Sequence, residues 1–265
     1  DQGSVGPHID EYDVFLIQAK GRREWMIESR IRECPELIEG LDLAILRDFD
    51  PDQRWVLEPG DLLYLPPKIP HHGVALGDGC MNYSVGFRAP AVSDVMDSFL
   101  LEAADQGLTD TRYYDGDLRT ARDPAEILDR DLERFRALAE TLLRESRALW
   151  PDIVGKLVSD STLSEDIPGS EISKLQELEA CVWQPHPDSR FAFHLGESLR
   201  LYANGRAYAL PADEAHHAVV RRICNRQRFT ARELQAGLSP DWDRCLLELV
   251  NQRALIPVFD EKDGD

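Results

Sequence analysis

The chain has 265 residues, of which 43% are hydrophobic and 30% charged, values that are ordinary for a soluble globular protein with one large or two modest domains. No stretch approaches the roughly 18 to 20 apolar residues of a membrane span, and the net charge of −19 argues against general nucleic-acid binding. The five cysteines are scattered without a C-x-x-C pair, so neither a disulfide framework nor a zinc knuckle is indicated. We therefore expect a cytoplasmic protein with reduced thiols and no membrane segment.

Residues 7–90 are predicted to form β structure. Short runs rich in aromatic and β-branched residues recur between Gly, Pro and Asp turns. These runs are YDVFLIQ, RREWMI, RWVLE, DLLYLP and NYSVGF. Many short strands at such spacing favour a sandwich, a jelly roll or a barrel.

His8 and Asp10 lie at the start of the first of these runs. If they belong to a strand, both side chains point to the same face, with their Cα atoms about 6.5 to 7 Å apart. The same face continues with Tyr12, Val14 and Leu16, so it is expected to be the buried side. A buried carboxylate requires a partner, and a metal ion bound by both side chains would provide one. A simple buried hydrogen bond between the two is the alternative.

A third ligand is predicted near the end of the DLLYLP run. A proline-rich bend follows this run and leads to His71 and His72. The combination of His-x-Asp with one distant His is the facial triad of non-haem iron(II) oxygenases, which leaves coordination positions open. The H-x-D pair alone is a weak signal, and the Pro-His that follows the next strand makes it more specific.

Arg23 is predicted to lie on the apolar face of the RREWMI run, together with Trp25 and Ile27. A guanidinium among hydrophobic groups requires an anion, and its planar fork suits a carboxylate. 2-Oxoglutarate fits this arrangement, because its keto-acid end can chelate iron while its far carboxylate meets Arg23. A surface ion pair of Arg23 with Glu24 or Glu28 is the alternative. In NYSVGF, Asn82 and Ser84 share a face and are candidates for cosubstrate contacts.

From about residue 91 the apolar spacing becomes helical. The segment 123–150 has Asp123 as the expected N-cap, Pro124 at the first helical position and Glu126 as its capping-box partner. One apolar stripe follows at helical spacing: Ile127, Leu128, Leu132, Phe135, Leu138, Leu142 and Leu149. We expect a packing helix or a subunit interface here, and a linker at SEDIPGSE.

The C-terminal part is predicted to resemble a winged-helix unit. Asn204-Gly205 separates two β-prone runs, which indicates a hairpin. Helices are expected through ADEAHHAVVRRICN and FTARELQAGL, with Thr230 and Glu233 as a capping box for the second. Another helix through DWDRCLLELVNQRALIPVF is expected to run into a final β-like stretch. The four histidines of this part, at positions 186, 194, 216 and 217, are expected to be structural or exposed. Its arginines are balanced, since residues 197–265 hold 10 basic and 11 acidic side chains, so direct nucleic-acid binding is not expected.

The stretches SVGPHIDEYDVFLIQAKGRREW, PGDLLYLPPKIPHHG and MNYSVGFRAP resemble the JmjC-type cupin oxygenases. The similarity is greatest to the bacterial ribosomal oxygenases, which hydroxylate an arginine of a large-subunit ribosomal protein, and it extends through nearly the whole chain. The resemblance implies an α+β architecture with three parts. These are a double-stranded β-helix (JmjC/cupin) at 1–90, a helical dimerisation region at 91–165 and a C-terminal winged-helix domain at 166–265.

The resemblance also implies the site and its chemistry. It makes His8, Asp10 and His71 the Fe(II) ligands, His71 being chosen over His72 because the ligand in P-H-x-G follows the proline. It makes Arg23 the 2-oxoglutarate anchor and implies 3-hydroxylation at Cβ of an arginine in the ribosomal protein substrate, by a homodimeric enzyme. The family normally has a stretch ahead of the H-x-D strand, so we expect an N-terminal segment to be missing.

Two other functions stay open at this stage. The same triad would serve an oxygenase that acts on a histidine or a lysine of another protein, or on a small molecule, because the metal chemistry does not select the substrate. Alternatively, the chain would be a dimeric binding module in which the cupin holds metal without turnover. The acids that contact a substrate arginine are not identifiable from the sequence.

Overall fold

The computed structural model describes residues 3–41, 43–114, 116, 123, 125–161, 181–235 and 238–258. By its internal contacts the chain divides into two compact units, 1–89 and 90–265. No helix in these ranges is long and apolar enough to cross a membrane.

The first unit is built on a four-stranded antiparallel sheet. The long strand β1 lies in its centre, with β2 and β3 on one side and β4 on the other. The strands are β1 (Asp13–Ile27), β2 (Gln53–Leu57), β3 (Leu62–Leu65) and β4 (His71–Phe87). All five predicted β runs are therefore strands, but they are joined differently from the prediction.

The turn expected between YDVFLIQ and RREWMI is absent, because β1 runs through both. Its pairing with β4 shifts register between Gln18 and Arg22, at an irregularity that includes Gly21 with φ +67°. The Gln18 side chain donates from Nε2 to the Lys20 carbonyl oxygen over 2.7 Å, which holds the irregularity in shape. An inserted residue changes which side chains face inward, so Val14 and Leu16 before it and Trp25 and Ile27 after it are all buried.

The core of the first unit lies on this one face of the sheet. Val14, Leu16, Trp25 and Ile27 pack there against Leu65 at the end of β3 and against Ile69 in the segment between β3 and β4. The buried face predicted for His8, Asp10, Val14 and Leu16 therefore leads directly into this core.

The second unit begins with three α-helices, α1 (Val92–Asp105), α2 (Asp129–Glu145) and α3 (Trp150–Ser159), with a 3-10 turn at Ser146–Leu149 between the last two. The predicted start of the long helix at Asp123 is wrong. The helix starts at Asp129, with Leu128 as N-cap and a 3.2 Å hydrogen bond from the Leu128 backbone N–H to the Asp131 carboxylate. Asp123 instead closes a separate turn, accepting from the Ala125 N–H over 3.0 Å. Pro124 lies outside the described residues.

Over residues 181–235 and 238–258, the second unit has two three-stranded sheets, of order β6-β7-β8 and β10-β5-β9, and three helices. The elements are β5 (Val182–Pro185), β6 (Phe191–Leu195), β7 (Leu199–Ala203), β8 (Arg206–Leu210), α4 (Glu214–Cys224), β9 (Phe229–Thr230), α5 (Ala231–Gln235), α6 (Pro240–Asn251) and β10 (Leu255–Val258). The predicted hairpin is confirmed: β7 and β8 pair across Asn204 and Gly205, both with positive φ. The capping box is confirmed as well, with Thr230 N–H donating to the Glu233 carboxylate over 2.7 Å and Glu233 N–H to Thr230 Oγ1 over 3.3 Å.

Helix α3 packs on the β6-β7-β8 sheet. The Asp152 carboxylate accepts hydrogen bonds from the Arg200 guanidinium and from Tyr202 Oη, and Gly155 lies against the Tyr202 ring. The boundary predicted between residues 165 and 166, and the linker SEDIPGSE, lie outside the described residues. The division into 91–165 and 166–265 therefore stays a prediction.

Candidate metal centre

Backbone pairing with the start of β4 places His8. Its N–H donates to the His71 carbonyl oxygen over 3.0 Å, and the His71 N–H donates back to the His8 carbonyl oxygen over 2.9 Å. The Asp10 carbonyl oxygen accepts from the Lys68 N–H over 2.7 Å. The prediction of a regular strand is wrong for this segment, because β1 begins only at Asp13 and His8 forms isolated bridges. The two side chains nevertheless reach the same place.

The side chains of His8, Asp10 and His71 converge. Each offers one ligand atom, and these atoms all lie within 4.8 Å of one another. The His71 Nε2 lies 3.6 Å from an Asp10 carboxylate oxygen, and the centroids of the two imidazole rings are 4.3 Å apart. His71 is buried, with 2% of its surface exposed, while His8 and Asp10 are half-buried.

The tautomers of both imidazoles follow from their neighbours. The His8 Nδ1 lies 3.0 Å from the Gly6 carbonyl oxygen and the His71 Nδ1 lies 2.9 Å from the Ile69 carbonyl oxygen. A carbonyl oxygen only accepts, so Nδ1 carries the proton in each ring and Nε2 keeps its lone pair for a metal. Burial lowers the pKa of His71, outweighing the hydrogen bond to Ile69, and this favours the neutral form that binds metal.

His72 has a different environment. Its Nε2 lies 2.7 Å from Ser4 Oγ, and its ring meets Phe49 edge-on with centroids 6.1 Å apart. It is not part of the converging group found among the described residues. Successive residues of a strand point to opposite faces, which explains why only the first of the two adjacent histidines joins His8 and Asp10. Burial lowers the pKa of His72 too.

A cavity of about 340 Å³ adjoins the three ligands. Its lining includes Arg23, Asn82 and Ser84, so the six residues predicted for the site surround one cavity. The remaining lining residues are Val5, Tyr12, Val14, Leu16, Trp25 and Gly86.

Arg23 lies at this cavity without a carboxylate partner among the described residues. Its Nη1 donates to the Gly73 carbonyl oxygen over 3.1 Å, and its Cζ lies 5.7 Å from the centroid of the Trp25 ring. The glutamates named as alternative partners are engaged elsewhere: Glu24 is 4.0 Å from Arg54, and Glu28 accepts from Arg32 over 2.8 Å. The Nε of Arg23 is buried and has no hydrogen-bond partner in the described structure.

Asn82 and Ser84 lie on β4, opposite Gln18 and Leu16 of β1. Gly86, the next residue of this alternation, also lines the cavity, where a Cβ would come within 2.6 Å of the Tyr12 ring. Tyr12 and Gly86 were not predicted as site residues. In a strand, side chains two residues apart share a face. Counting two residues on from Asp10 and from Ser84 would therefore have identified Tyr12 and Gly86.

The four C-terminal histidines lie in the second unit. His216 is buried, with its Nδ1 2.8 Å from the Asp213 carboxylate and its Nε2 3.1 Å from Ser239 Oγ. Asp213 and Ser239 are the N-caps of α4 and α6, so His216 joins two helix ends. The structural role expected for His216 is confirmed, and its carboxylate partner Asp213 was not predicted.

The donor set suits a ferrous ion. Two neutral imidazole nitrogens and one carboxylate are the ligands typical of non-haem iron(II) sites with open coordination positions. The carbonyl oxygens of Gly6 and Ile69 provide the hydrogen bonds that orient metal-bound histidines. The residues present therefore fit the metal that the sequence predicted.

Three family models match the chain. Residues 1–95 match the JmjC domain, residues 140–256 match the ROXA-like winged helix, and residues 51–150 match the AraC-like ligand binding domain. These matches agree with the predicted cupin and winged-helix architecture.

Known proteins resemble the chain over nearly all of its length. It is 36% identical to the ribosomal protein uL16 3-hydroxylase of Escherichia coli, over 94% of this chain and 66% of that protein. The crystal structure of E. coli ycfD superposes with a TM-score of 0.76 at 30% identity, and the match covers 96% of this chain and 68% of the ycfD chain. Another structure of this ribosomal oxygenase, in complex with cobalt and 2-oxoglutarate, gives a TM-score of 0.74 at 29% identity, with 96% and 66% covered. The chain thus spans about two thirds of the length of these relatives.

Proposed function

Because this chain belongs to the ribosomal oxygenases of the JmjC family, we propose that it is a protein hydroxylase that depends on Fe(II) and 2-oxoglutarate. Its proposed product is an arginine hydroxylated at Cβ in a large-subunit ribosomal protein, of which uL16 is the candidate. The observation that carries the proposal is the convergence of His8, Asp10 and His71 within 4.8 Å at a cavity that also holds Arg23.

His8, Asp10 and His71 would hold the iron. Both histidines would bind through Nε2, since their Nδ1 protons are engaged by backbone carbonyls. Asp10 would contribute one carboxylate oxygen, and its charge would lower the net charge of the bound ion. The three ligands come from two backbone segments that hydrogen-bond to each other, so their spacing does not depend on the ion.

Arg23 would hold the distal carboxylate of 2-oxoglutarate, and Asn82 and Ser84 would contact the cosubstrate along its length. The bond from Arg23 Nη1 to the Gly73 carbonyl oxygen leaves the rest of the guanidinium for a ligand. Val14, Leu16 and Trp25 line the same cavity and are buried, so apolar side chains share the lining with the polar ones and would help to exclude water from the reacting groups.

When bound, Fe(II) and 2-oxoglutarate supply the oxidising chemistry, in which O2 is consumed, the cosubstrate becomes succinate and CO2, and one oxygen atom enters a C–H bond. The protein supplies positions. His8, Asp10 and His71 would hold the metal and leave coordination positions open, so that the substrate arginine could approach it.

The substrate side is supported by charge. The chain carries a formal net charge of −19, which complements a basic ribosomal protein and would increase its association rate. A cytoplasmic location fits such a substrate. Direct nucleic-acid binding is not part of the proposal: in the second unit, Arg226 donates to three backbone carbonyls and Arg222 pairs with Glu233.

A homodimer is proposed through the helical part of the second unit. Helix α2 has no buried residue, and the first part of its apolar stripe is solvent-exposed, with Leu132 and Phe135 each 55% exposed. Helix α1 exposes a second set at helical spacing, Val92, Met96 and Leu100. Apolar stripes of this kind are typical of subunit interfaces.

The direct test compares ribosomal proteins from cells with and without the gene, by intact mass and then by peptide sequencing. We expect one large-subunit protein to lose the mass of one oxygen atom in the deletion strain, at an arginine. Purified protein given Fe(II), 2-oxoglutarate and that peptide should form succinate. If the extra oxygen is found on a histidine or a lysine, the proposal of an arginine substrate is wrong. Metal binding without succinate formation would instead support a binding module that holds metal without turnover.

A further inference from the structure

Two buried hydrogen-bond donors without partners lie on one strand at the cavity. The indole Nε1 of Trp25 and the Nε of Arg23 have no hydrogen-bond partner among the residues that the structure describes. Both side chains line the cavity of the metal centre, and Trp25 is only 5% exposed. A buried donor without an acceptor is costly, so two of them at one cavity indicate a ligand that accepts hydrogen bonds.

The Trp25 ring lies near both His71 and the guanidinium of Arg23. Its centroid is 6.0 Å from the centroid of the His71 ring and 5.7 Å from Arg23 Cζ. A keto-diacid that reached from the metal to Arg23 would therefore come close to the indole.

Gly73 determines where this ring lies. It is the cross-strand neighbour of Trp25 on β4, and a Cβ at this position would come within 2.7 Å of the Trp25 Cη2 and Cζ3 atoms. Any other residue would displace the ring. The Gly73 carbonyl oxygen also accepts the hydrogen bond from Arg23 Nη1, so one glycine positions both donors.

We propose that Trp25 is a second donor to the distal carboxylate of the cosubstrate, next to Arg23, and that Gly73 positions it. The proposal rests on the proposed function, since it assigns a residue to the 2-oxoglutarate site. A carboxylate has two oxygens and about four lone-pair positions, enough for Arg23 and the indole N–H together. The pair would select a diacid over a keto-monoacid, because a methyl group would leave both donors unpaired.

The test measures ligand binding rather than turnover. 2-Oxoglutarate and 2-oxopentanoate, which has a methyl group in place of the distal carboxylate, are titrated by calorimetry into the intact protein loaded with Mn(II). In Trp25→Phe the ring is kept and the N–H is lost. We expect the affinity for 2-oxoglutarate to fall about tenfold, with the affinity for 2-oxopentanoate and for Mn(II) unchanged.

Two further variants complete the design. Trp55→Phe is the matched control, because Trp55 is paired with Trp25 across β1 and β2 but is 43% exposed and lies outside the described cavity lining. It should bind both ligands like the unaltered protein. Gly73→Ala should reproduce the selective loss by displacing the indole.

The outcomes separate this inference from the proposed function. If the unaltered protein shows no preference for 2-oxoglutarate over 2-oxopentanoate, the proposed cosubstrate is wrong. If that preference is present and persists in full in Trp25→Phe, the indole is not a donor. Equal weakening of both ligands in Trp25→Phe would show that the indole acts on the shape of the site and not on the distal carboxylate, which also overturns the inference.

Discussion

At the scale of single residues, backbone carbonyls prepare the metal centre. The Gly6 and Ile69 oxygens engage Nδ1 of His8 and His71 and leave both Nε2 atoms for a metal. His72 has its Nε2 at Ser4 Oγ instead. The neighbours behind each ring therefore distinguish a ligand from an adjacent histidine, and this distinction leads to a test.

We expect His71→Ala to lower the metal affinity more than about a hundredfold. Changing a residue that only hydrogen-bonds to a metal ligand typically lowers the affinity by less than this. His72→Ala is the matched control and should bind metal nearly normally. Titration with Co(II), followed by its visible absorption, measures both. If His72→Ala lost the metal while His71→Ala kept it, the ligand assignment would be reversed.

Arg23 is tested against its neighbour. Arg23→Ala should weaken 2-oxoglutarate binding roughly tenfold to a hundredfold, the worth of a hydrogen bond to a charged group, with metal affinity retained. Arg22→Ala is the control, since Arg22 is exposed. Calorimetry on the metal-loaded protein gives the comparison. An unchanged affinity of Arg23→Ala for 2-oxoglutarate would show that Arg23 does not bind the cosubstrate.

At the scale of elements, glycines that were predicted to form turns between strands lie instead at bends within long strands. Gly21 lies in β1, and Gly77 and Gly79 lie in β4, all with positive φ. A positive φ suits a turn and a bulge equally. Only the partner strand decides between them, and no local pattern identifies that partner.

The start of α2 shows a similar competition between two local signals. Asp123 with Glu126 and Leu128 with Asp131 both offer a carboxylate three residues after a possible N-cap. Asp123 is the better capping residue, yet the helix begins at Asp129.

Gly155 in α3 gives a stability prediction at this scale. An alanine within a helix is normally favoured over glycine by about 1 kcal/mol, but its Cβ here would lie 2.3 Å from the Tyr202 ring. Such overpacking costs about 1 to 3 kcal/mol, so Gly155→Ala should destabilise the protein. Urea unfolding measures the change, with the exposed Val154→Ala as control. A stabilised Gly155→Ala would contradict the close packing of α3 on this sheet.

His216 connects the N-caps of α4 and α6, Asp213 and Ser239, and this contact predicts that the stability of the fold depends on pH. The His216 backbone N–H and ring lower the pKa of the Asp213 carboxyl below its ordinary value of 3.8. A lowered pKa in the folded state stabilises the fold above the unfolded value, and this stabilisation is lost as the pH falls through the lowered one. The stability difference between the unaltered protein and Asp213→Asn should therefore shrink as the pH falls below the ordinary value of 3.8.

Thermal unfolding over this pH range measures that difference. Glu197→Gln serves as a control, because Glu197 is exposed and belongs to neither helix. A difference between the unaltered protein and Asp213→Asn that stayed constant down to the lowest pH would argue against the His216 contact.

At the scale of the whole molecule, the exposed stripe of α2 predicts association. Leu132→Glu should shift the protein from dimer to monomer, because a charge in an apolar interface is costly. Ala137→Glu adds the same charge on another face of the helix and should leave the dimer intact. Sedimentation at several protein concentrations measures the equilibrium. A protein that is monomeric without any substitution would end the homodimer proposal.

The sequence by itself predicted the candidate site and most of the elements. Residue type and strand alternation single out His8, Asp10, Arg23, Asn82 and Ser84, although His8 and Asp10 lie ahead of the regular strand, and the Asn204-Gly205 hairpin and the Thr230 capping box follow from short-range rules. Such features depend on neighbours within a few residues, which any single sequence displays.

Only the tertiary structure decided how these pieces meet. The joining of β1 and β4 into long bent strands, the irregular backbone of His8 and Asp10, the distinct surroundings of His71 and His72, and the contact of Gly73 with Trp25 all require residues that are distant in the chain. The physical reason is that a strand satisfies its backbone hydrogen bonds with another strand, so register and burial belong to the pair and not to either sequence alone.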